Sequence, residues 1–386
     1  MNKVFKLLFS SFFLIISVTN VFSNEKEKLK IGLLIPLTGE NYELGQTIIK
    51  AARIAMSDID SDQIEIIVKD TKSDTKIALR SALELKEQGI KLVIGPVFFK
   101  SLEYLGEIED MIFISHTNKT VNLPKNVISS GVNSTSQLNT IKKFLKNNDI
   151  SKTIFLVPKL THEEEIKKGI KNSKIKLLKT HIYEREPTKL TKQIEEITNY
   201  KIRKQNLEDE IYRLENSDDP NKEKQLENLK MKYTIGDVNF ESVIIADFEE
   251  SLKSVTTSLL YSDVSPQKKF FITLNQWFDK SLINEKDIQP LYYPSINQEN
   301  FEKYKLRYQV EFDEDPNHLS LLSYDLVGLV YYLSLKNNFN LTDLNKLFKK
   351  KNSFKGKIGI FDINDNEINH RLNFYKIDNK KIIKIF

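Results

Sequence analysis

Between Lys30 and Ile59 the chain passes from one hydrophobic rhythm to another. Ile31 to Ile35 is an unbroken apolar run, the pattern of a short strand buried on both faces. Pro36-Leu37-Thr38-Gly39 breaks it, and beyond Gly45 the apolar residues Ile48, Ile49, Ala52, Ile54, Ala55 and Ile59 recur mostly at helical spacing. The stretch predicts a strand, a glycine-containing turn and a helix, the first half of a βαβ unit. In open α/β sheets ligands bind beyond the carboxyl ends of the strands, so Thr38 to Tyr42 is expected to face a binding crevice.

The same alternation continues. Gln63 to Val68 is a β-branched strand, Asp74 is placed to cap a helix that Gly89 stops, and Lys91 to Ile94 ends at Gly95-Pro96. A short helix from about Ser101 to Ile108 and a strand over Met111 to Ser115 complete a doubly wound parallel sheet. The pattern restarts after Asn133-Ser134-Thr135 with a helix over Ser136 to Asn147, a strand Thr153 to Val157, a helix Glu163 to Ile170 and a strand Lys174 to Thr180. From Thr188 to Tyr233 charged and amide residues dominate, with Leu190, Ile194, Ile197, Leu207, Ile211 and Leu214 at three- and four-residue steps, which predicts helical arms, read as a solvated insertion with one face resting on the lobe in preference to a partner-docking coiled coil. Strands resume at Ser242 to Ala246 and Phe270 to Thr273 around a helix Glu249 to Tyr261, followed by Trp277 and the extended run Pro290 to Pro294. Helices are expected over Gln298 to Glu311, His318 to Leu335 and Leu344 to Lys350. The tail alternates as strands Phe354 to Asp362, Leu372 to Ile377 and Lys381 to Ile385.

A chain of 386 residues predicts two lobes. Lys3 and Lys6, the apolar run Leu7 to Val18 and the small Ser23 are ordered as a secretory signal peptide over 1–23, too short for a membrane span. Its removal takes two lysines and no acid, lowering the formal charge from +5 to +3; such balance gives no support for a nucleic-acid partner. Cysteine is absent, which removes disulfides, thiolate metal sites and a lipid-modified cysteine, so a soluble exported protein, periplasmic and not a lipoprotein, is expected.

The candidate chemistry is sparse. The five histidines, His116, His162, His181, His318 and His370, are scattered without metal-ligand spacing. There is no nucleophile elbow or phosphate loop, and Asp362 to Asn366 lacks the register of a calcium loop. Neither a catalytic role nor a cofactor is expected.

Six segments in order, IGLLIPLTG (31–39), KDTKSDT (69–75), KLVIGPV (91–97), ISHTNKT (114–120), SYDLVGLVYYL (323–333) and FKGKIGIFDINDN (354–366), resemble the type I periplasmic binding proteins of the leucine/isoleucine/valine-binding kind. The resemblance implies an α/β two-lobed fold, each lobe a doubly wound, mostly parallel sheet, with three crossings near Val132, Asn275 and Asn337. Lobe 1 is then 29–132 and 275–336, and lobe 2 is 133–274 and 337–386 with a charged helical insertion over 188–232. The insertion followed by Ile235-Gly236-Asp237 and the apolar strand up to Asp247 is similar to the penicillin-binding protein activators. That likeness implies a non-catalytic regulator whose partner is a peptidoglycan synthase or other envelope protein. The alternative is the substrate-binding component of an ABC transporter, with a small amino-acid-like ligand and a membrane permease. Expected cleft residues are Thr38, Phe98, Phe99, Ser115, Thr117, Asn118, Asp247 and Trp277. Amino-acid binders of this fold usually carry hydroxyls after the Gly-Pro turn; here stand Phe98 and Phe99, and Lys119 falls near where a Thr is expected, which argues against an ordinary amino-acid ligand.

Overall fold

The computed structural model describes residues 28–159, 163–274, 280–339 and 344–386. The expected signal peptide and Trp277 lie outside them. The first lobe opens with β1 (Leu29–Ile35), α1 (Tyr42–Ile59), β2 (Ile64–Asp70), α2 (Thr75–Glu87) and β3 (Leu92–Ile94). Asp74 caps α2 as expected, accepting the N–H groups of Lys76 and Ile77 at 2.9 Å. In place of the expected helix over 101–108 the chain makes two 3₁₀ turns, Phe99–Leu102 and Leu105–Glu107, before β4 (Ile112–Ser115) and β5 (Val127–Ser129). The five strands pair in parallel in the order β2-β1-β3-β4-β5.

The second lobe repeats that plan. It contains α3 (Ser134–Asn147), β6 (Thr153–Pro158), α4 (Glu163–Ser173) and β7 (Lys179–Tyr183). Helices α5 (Pro187–Ile197), α6 (Tyr200–Glu215) and α7 (Lys222–Lys230) come next, then β8 (Ser242–Ile245), α8 (Glu249–Tyr261), β9 (Phe270–Thr273) and β10 (Leu291–Ser295). Helix α5 rests one face on the lobe: Leu190 and Ile194 are buried in the second-lobe core with Leu252 and Val255 of α8. Helix α6 turns Arg203, Leu207 and Leu214 inward, and α7 buries nothing. β7 starts five residues later than the apolar pattern predicts, because Lys174 takes a left-handed turn (φ 52°) and Ile175 drops into the core of the lobe before pairing begins.

The remaining elements are α9 (Gln298–Phe312), α10 (His318–Lys336), α11 (Leu344–Lys349), β11 (Asn352–Lys355), β12 (Ile360–Asn364), β13 (Glu367–Arg371), β14 (Asn373–Asp378) and β15 (Lys381–Lys384). They move two of the expected boundaries. β10 pairs in parallel with β9 and antiparallel with β14 in a seven-stranded sheet, β15-β14-β10-β9-β8-β6-β7, so the return to the first lobe falls at Ile296 and not near Asn275. The final crossing falls at Leu372 and not near Asn337, because β11-β12-β13 form a separate antiparallel sheet whose Phe361, Ile363 and Ile368 pack into the first-lobe core with Ile48 and Leu326. The expected single strand Phe354 to Asp362 is two strands. Gly356 and Gly359 close the turn between them, held by a Gly356 N–H to Gly359 carbonyl bond at 2.9 Å. α10 is apolar on nearly every side because it is buried against α1 and the β11-β12-β13 sheet.

Candidate functional site

Both sheets have the doubly wound order 2-1-3-4-5: β2-β1-β3-β4-β5 in the first lobe and β7-β6-β8-β9-β10 in the second. The order reverses between β1 and β3 and between β6 and β8, and in sheets of this kind ligands bind beyond the strand ends at those points. Thr38, Phe98 and Phe99 follow β1 and β3. Asp247 follows β8.

In the first lobe Asp70 is the hub. Its carboxylate accepts the Thr38 hydroxyl at 2.6 Å and the N–H groups of Leu37 and Lys72 at 2.8 Å. Burial pushes this carboxyl up, and the bonds from Thr38, Lys72 and Leu37 outweigh it, so Asp70 titrates below the usual carboxylate range. The turn lies so close to α1 that a Cβ on Gly45 would stand 1.7 Å from the Pro36 carbonyl oxygen. Thr38 is exposed, but its hydroxyl is spent on Asp70.

Ser115 is fully buried. It donates to the Pro96 carbonyl at 2.6 Å and accepts the Thr117 N–H at 3.2 Å. Thr117, also buried, accepts the Lys119 N–H at 3.2 Å, and its carbonyl takes the Ser129 hydroxyl at 2.6 Å. Asn118 is exposed. Phe98 and Phe99 are half-buried: Phe98 packs on the cluster under α1 and α10, Phe99 on the opposite face of the sheet. The Lys119 ammonium sits 4.5 Å from the Phe99 ring centroid, a cation–π contact.

In the second lobe Asp247 has no exposed side-chain surface. Tyr183 donates its hydroxyl at 2.6 Å, Arg185 donates its Nε at 3.1 Å and pairs its Nη2 with the other carboxylate oxygen, and the Phe248 N–H adds a bond at 3.2 Å. Burial, then the bond to Asp247, pushes the Tyr183 hydroxyl well above its ordinary range. Sequence reasoning selected Asp247 and missed Tyr183 and Arg185. The strand that ends at Tyr183, two residues before Arg185, begins later than its apolar pattern suggests, which hid the register.

A further set of contacts joins the lobes. Glu165 on the first turn of α4 receives the N–H groups of Thr120 and Val121 and the Thr120 hydroxyl, while Lys168 donates to the Thr120 carbonyl at 2.9 Å and pairs with Glu367 at 3.1 Å. Nothing in the one-dimensional pattern pointed to Glu165 beyond its place among three acids that favour a helix N-terminus. Among the described residues no group of three or more His, Asp or Glu is placed to hold a metal ion.

Residues 28–197 match the family described as periplasmic binding protein. The fold is that of the type I periplasmic binding proteins. A putative branched-chain amino acid ABC transporter from Rhodospirillum rubrum superposes with a TM-score of 0.69 at 12% identity, over 93% of this chain and all of that one. The C-domain of LpoA from Haemophilus influenzae, a regulator of PBP1A, gives 0.60 at 14% identity over 92% of this chain and all of that one. The isoleucine complex of LivJ from Streptococcus pneumoniae gives 0.51 at 15%, over 93% of this chain and all of that one. Among curated proteins none matches the chain by sequence. Members of this fold family are binding proteins. At these identities the likeness is one of fold, and it extends both to transport receptors and to a synthase regulator.

Proposed function

We propose that this chain is a non-catalytic, exported regulator of peptidoglycan synthesis, acting by contact with a synthase. The observation that carries the reading is the state of the crevice polar groups. Thr38 is bonded to Asp70, Ser115 to Pro96 and Thr117, and Asp247 to Tyr183 and Arg185. An α-amino acid in this crevice would bury a carboxylate and an ammonium, each needing partners. A buried polar group without one costs about 1–3 kcal/mol. Thr38, Ser115, Thr117 and Asp247 already have partners within the chain, while the Ser101 hydroxyl and His116 Nδ1 are buried without one, and two phenylalanines stand where amino-acid receptors of this fold usually carry hydroxyls. The C-domain of LpoA, a regulator of PBP1A, has the same fold, which supports a regulatory role.

Two measurements test the proposal together. Glycan polymerisation by a purified bifunctional synthase of the host is expected to rise on adding the mature protein, residues 24–386. Thermal melts against the common amino acids and their amides are expected to show no shift. A true ligand at a hundredfold its Kd adds about 2.7 kcal/mol, which on a domain of this size moves the midpoint by roughly 2 to 4 °C per kcal/mol. A clear shift with one amino acid, with no effect on the synthase, overturns the proposal in favour of a transport receptor.

A further inference from the structure

At the end of the second lobe remote from the crevice, where β6 and β7 begin, a cavity of about 480 Å³ opens between α3 and the connection from α4 to β7. Lys142 and Lys146 stand one turn apart on α3 and Lys174 and Lys176 alternate along the connection, so four lysines line it. Leu145, Ile150 and Ile175 supply an apolar floor, Ser151 completes the lining, and no carboxylate lines it. Among the described residues none of the four lysines is ion-paired. Lys142 donates to the Ser173 carbonyl at 2.8 Å, and the nearby Glu241 is turned to the N–H groups of Ser151 and Lys152, both at 2.8 Å.

Two local features hold this rim in place. Asp149 and Lys174 both adopt left-handed backbone, at φ 54° and 52°, conformations unusual for residues other than glycine, and these turns bring the two loops around the opening. The volume falls within the roughly 300–1,000 Å³ of small-molecule sites, which join an apolar lining to a few convergent polar groups. Like charges gathered over a low-dielectric wall focus a positive potential into the opening.

We infer that this cavity binds an anionic group carried on an apolar stem, a carboxylate or phosphate ester whose head meets the lysines while the stem covers Leu145, Ile150 and Ile175. Ammonium groups suit either head because they act as point donors and impose no fork geometry. The site is separate from the crevice and independent of the role proposed above.

Calorimetry on the mature protein tests it with decanoate, decyl phosphate and inorganic phosphate, and sedimentation with phosphatidylglycerol and phosphatidylcholine vesicles. Decyl phosphate or the anionic vesicle is expected to bind, with inorganic phosphate weaker by about tenfold or more, equivalent to 1.4 kcal/mol. Binding to soluble amphiphiles alone assigns a free ligand, and binding to anionic vesicles alone assigns a lipid headgroup. Lys146→Glu/Lys174→Glu should weaken binding by at least about tenfold. Lys146→Arg/Lys174→Arg should retain it, and so should Lys224→Glu/Lys230→Glu on α7, which makes the same change in net charge. Absence of binding by the wild type, equal affinity for inorganic and decyl phosphate, or equal loss in the α7 variant overturns the inference.

Discussion

The carboxylate of Glu165, in the second lobe, accepts the backbone N–H of Thr120, in the first, at 2.9 Å. It also takes the Thr120 hydroxyl and the Val121 N–H, each at 2.8 Å. A helix of one lobe and a loop of the other are thereby tied by one side chain. Hydrogen bonds to a charged group contribute about 1.5–3 kcal/mol each, so Glu165→Ala is expected to release this tie. Exchange of the Thr120 and Val121 amides should accelerate by about tenfold or more, equivalent to 1.4 kcal/mol. Unchanged exchange at both amides would show that the lobes are held elsewhere.

Among the described residues Arg185 is the one cation ion-paired with the Asp247 carboxylate. Removing one partner of a buried pair costs about 3–5 kcal/mol. The Arg185 side chain is 35% exposed, so water can partly replace it, and Arg185→Ala is expected to cost nearer 2 kcal/mol in urea unfolding. The double variant Arg185→Ala/Asp247→Asn should recover part of the loss, since it removes the stranded charge. If the single variant is as stable as wild type, Asp247 does not depend on Arg185.

Ser115 has the position of a ligand-binding hydroxyl and the bonding of a structural one. Ser115→Ala strands the Pro96 carbonyl and the Thr117 N–H, and a loss of about 1–3 kcal/mol is expected. Its profile in the amino-acid melting panel should match that of wild type. A variant of normal stability with altered ligand response would instead place Ser115 in a binding site.

Two buried histidines and one buried aspartate set opposite trends with pH. His116 Nε2 donates to Ser323 at 2.8 Å, the Ser323 hydroxyl itself being committed to the Leu319 carbonyl, and His370 Nε2 donates to the Ser130 carbonyl at 2.7 Å. Burial pushes both imidazoles down to about 4. The unfolded chain takes up these protons below about 6.5 and the folded chain does not until about 4, so their contribution is complete above 6.5 and falls as the pH drops through that window. Asp325 runs the other way. Burial pushes its carboxyl up to about 7 against the bonds from the Ile358 and Lys357 N–H groups, so its contribution is complete below its ordinary 3.8 and is lost as the pH rises towards 7. Between about pH 4 and 6.5 Asp325→Asn should therefore lose stability on acidification more steeply than wild type, by about 1.4 kcal/mol per pH unit. Urea unfolding across that range measures the slopes. An equal slope refutes the shift assigned to Asp325, and a His116 or His370 ring that titrates near 6.5 by NMR refutes its neutral burial.

Much of the architecture was written along the chain. The helix Glu249–Tyr261 and the strand Phe270–Thr273 have the bounds the sequence predicts, the Asp74 cap is where its spacing places it, and the two lobes follow from alternating strand and helix patterns. These features depend on neighbours a few residues apart, and local periodicity, capping and turn chemistry record them. Tertiary structure decided what periodicity cannot encode. The apolar run Pro290 to Pro294 reads the same whether it pairs in one sheet or the other, and only the partners Phe271 and Ile377 assign β10 to the second lobe. The alternation of Phe354 to Ile377 announces strands but not that the first three leave that sheet to close the first-lobe core. At the crevice the sequence supplied Thr38, Ser115, Thr117 and Asp247 as polar candidates. Their partners, Asp70, Pro96, Ser129, Tyr183 and Arg185, lie up to 64 residues away, and it is those distant bonds that turn binding groups into structural ones.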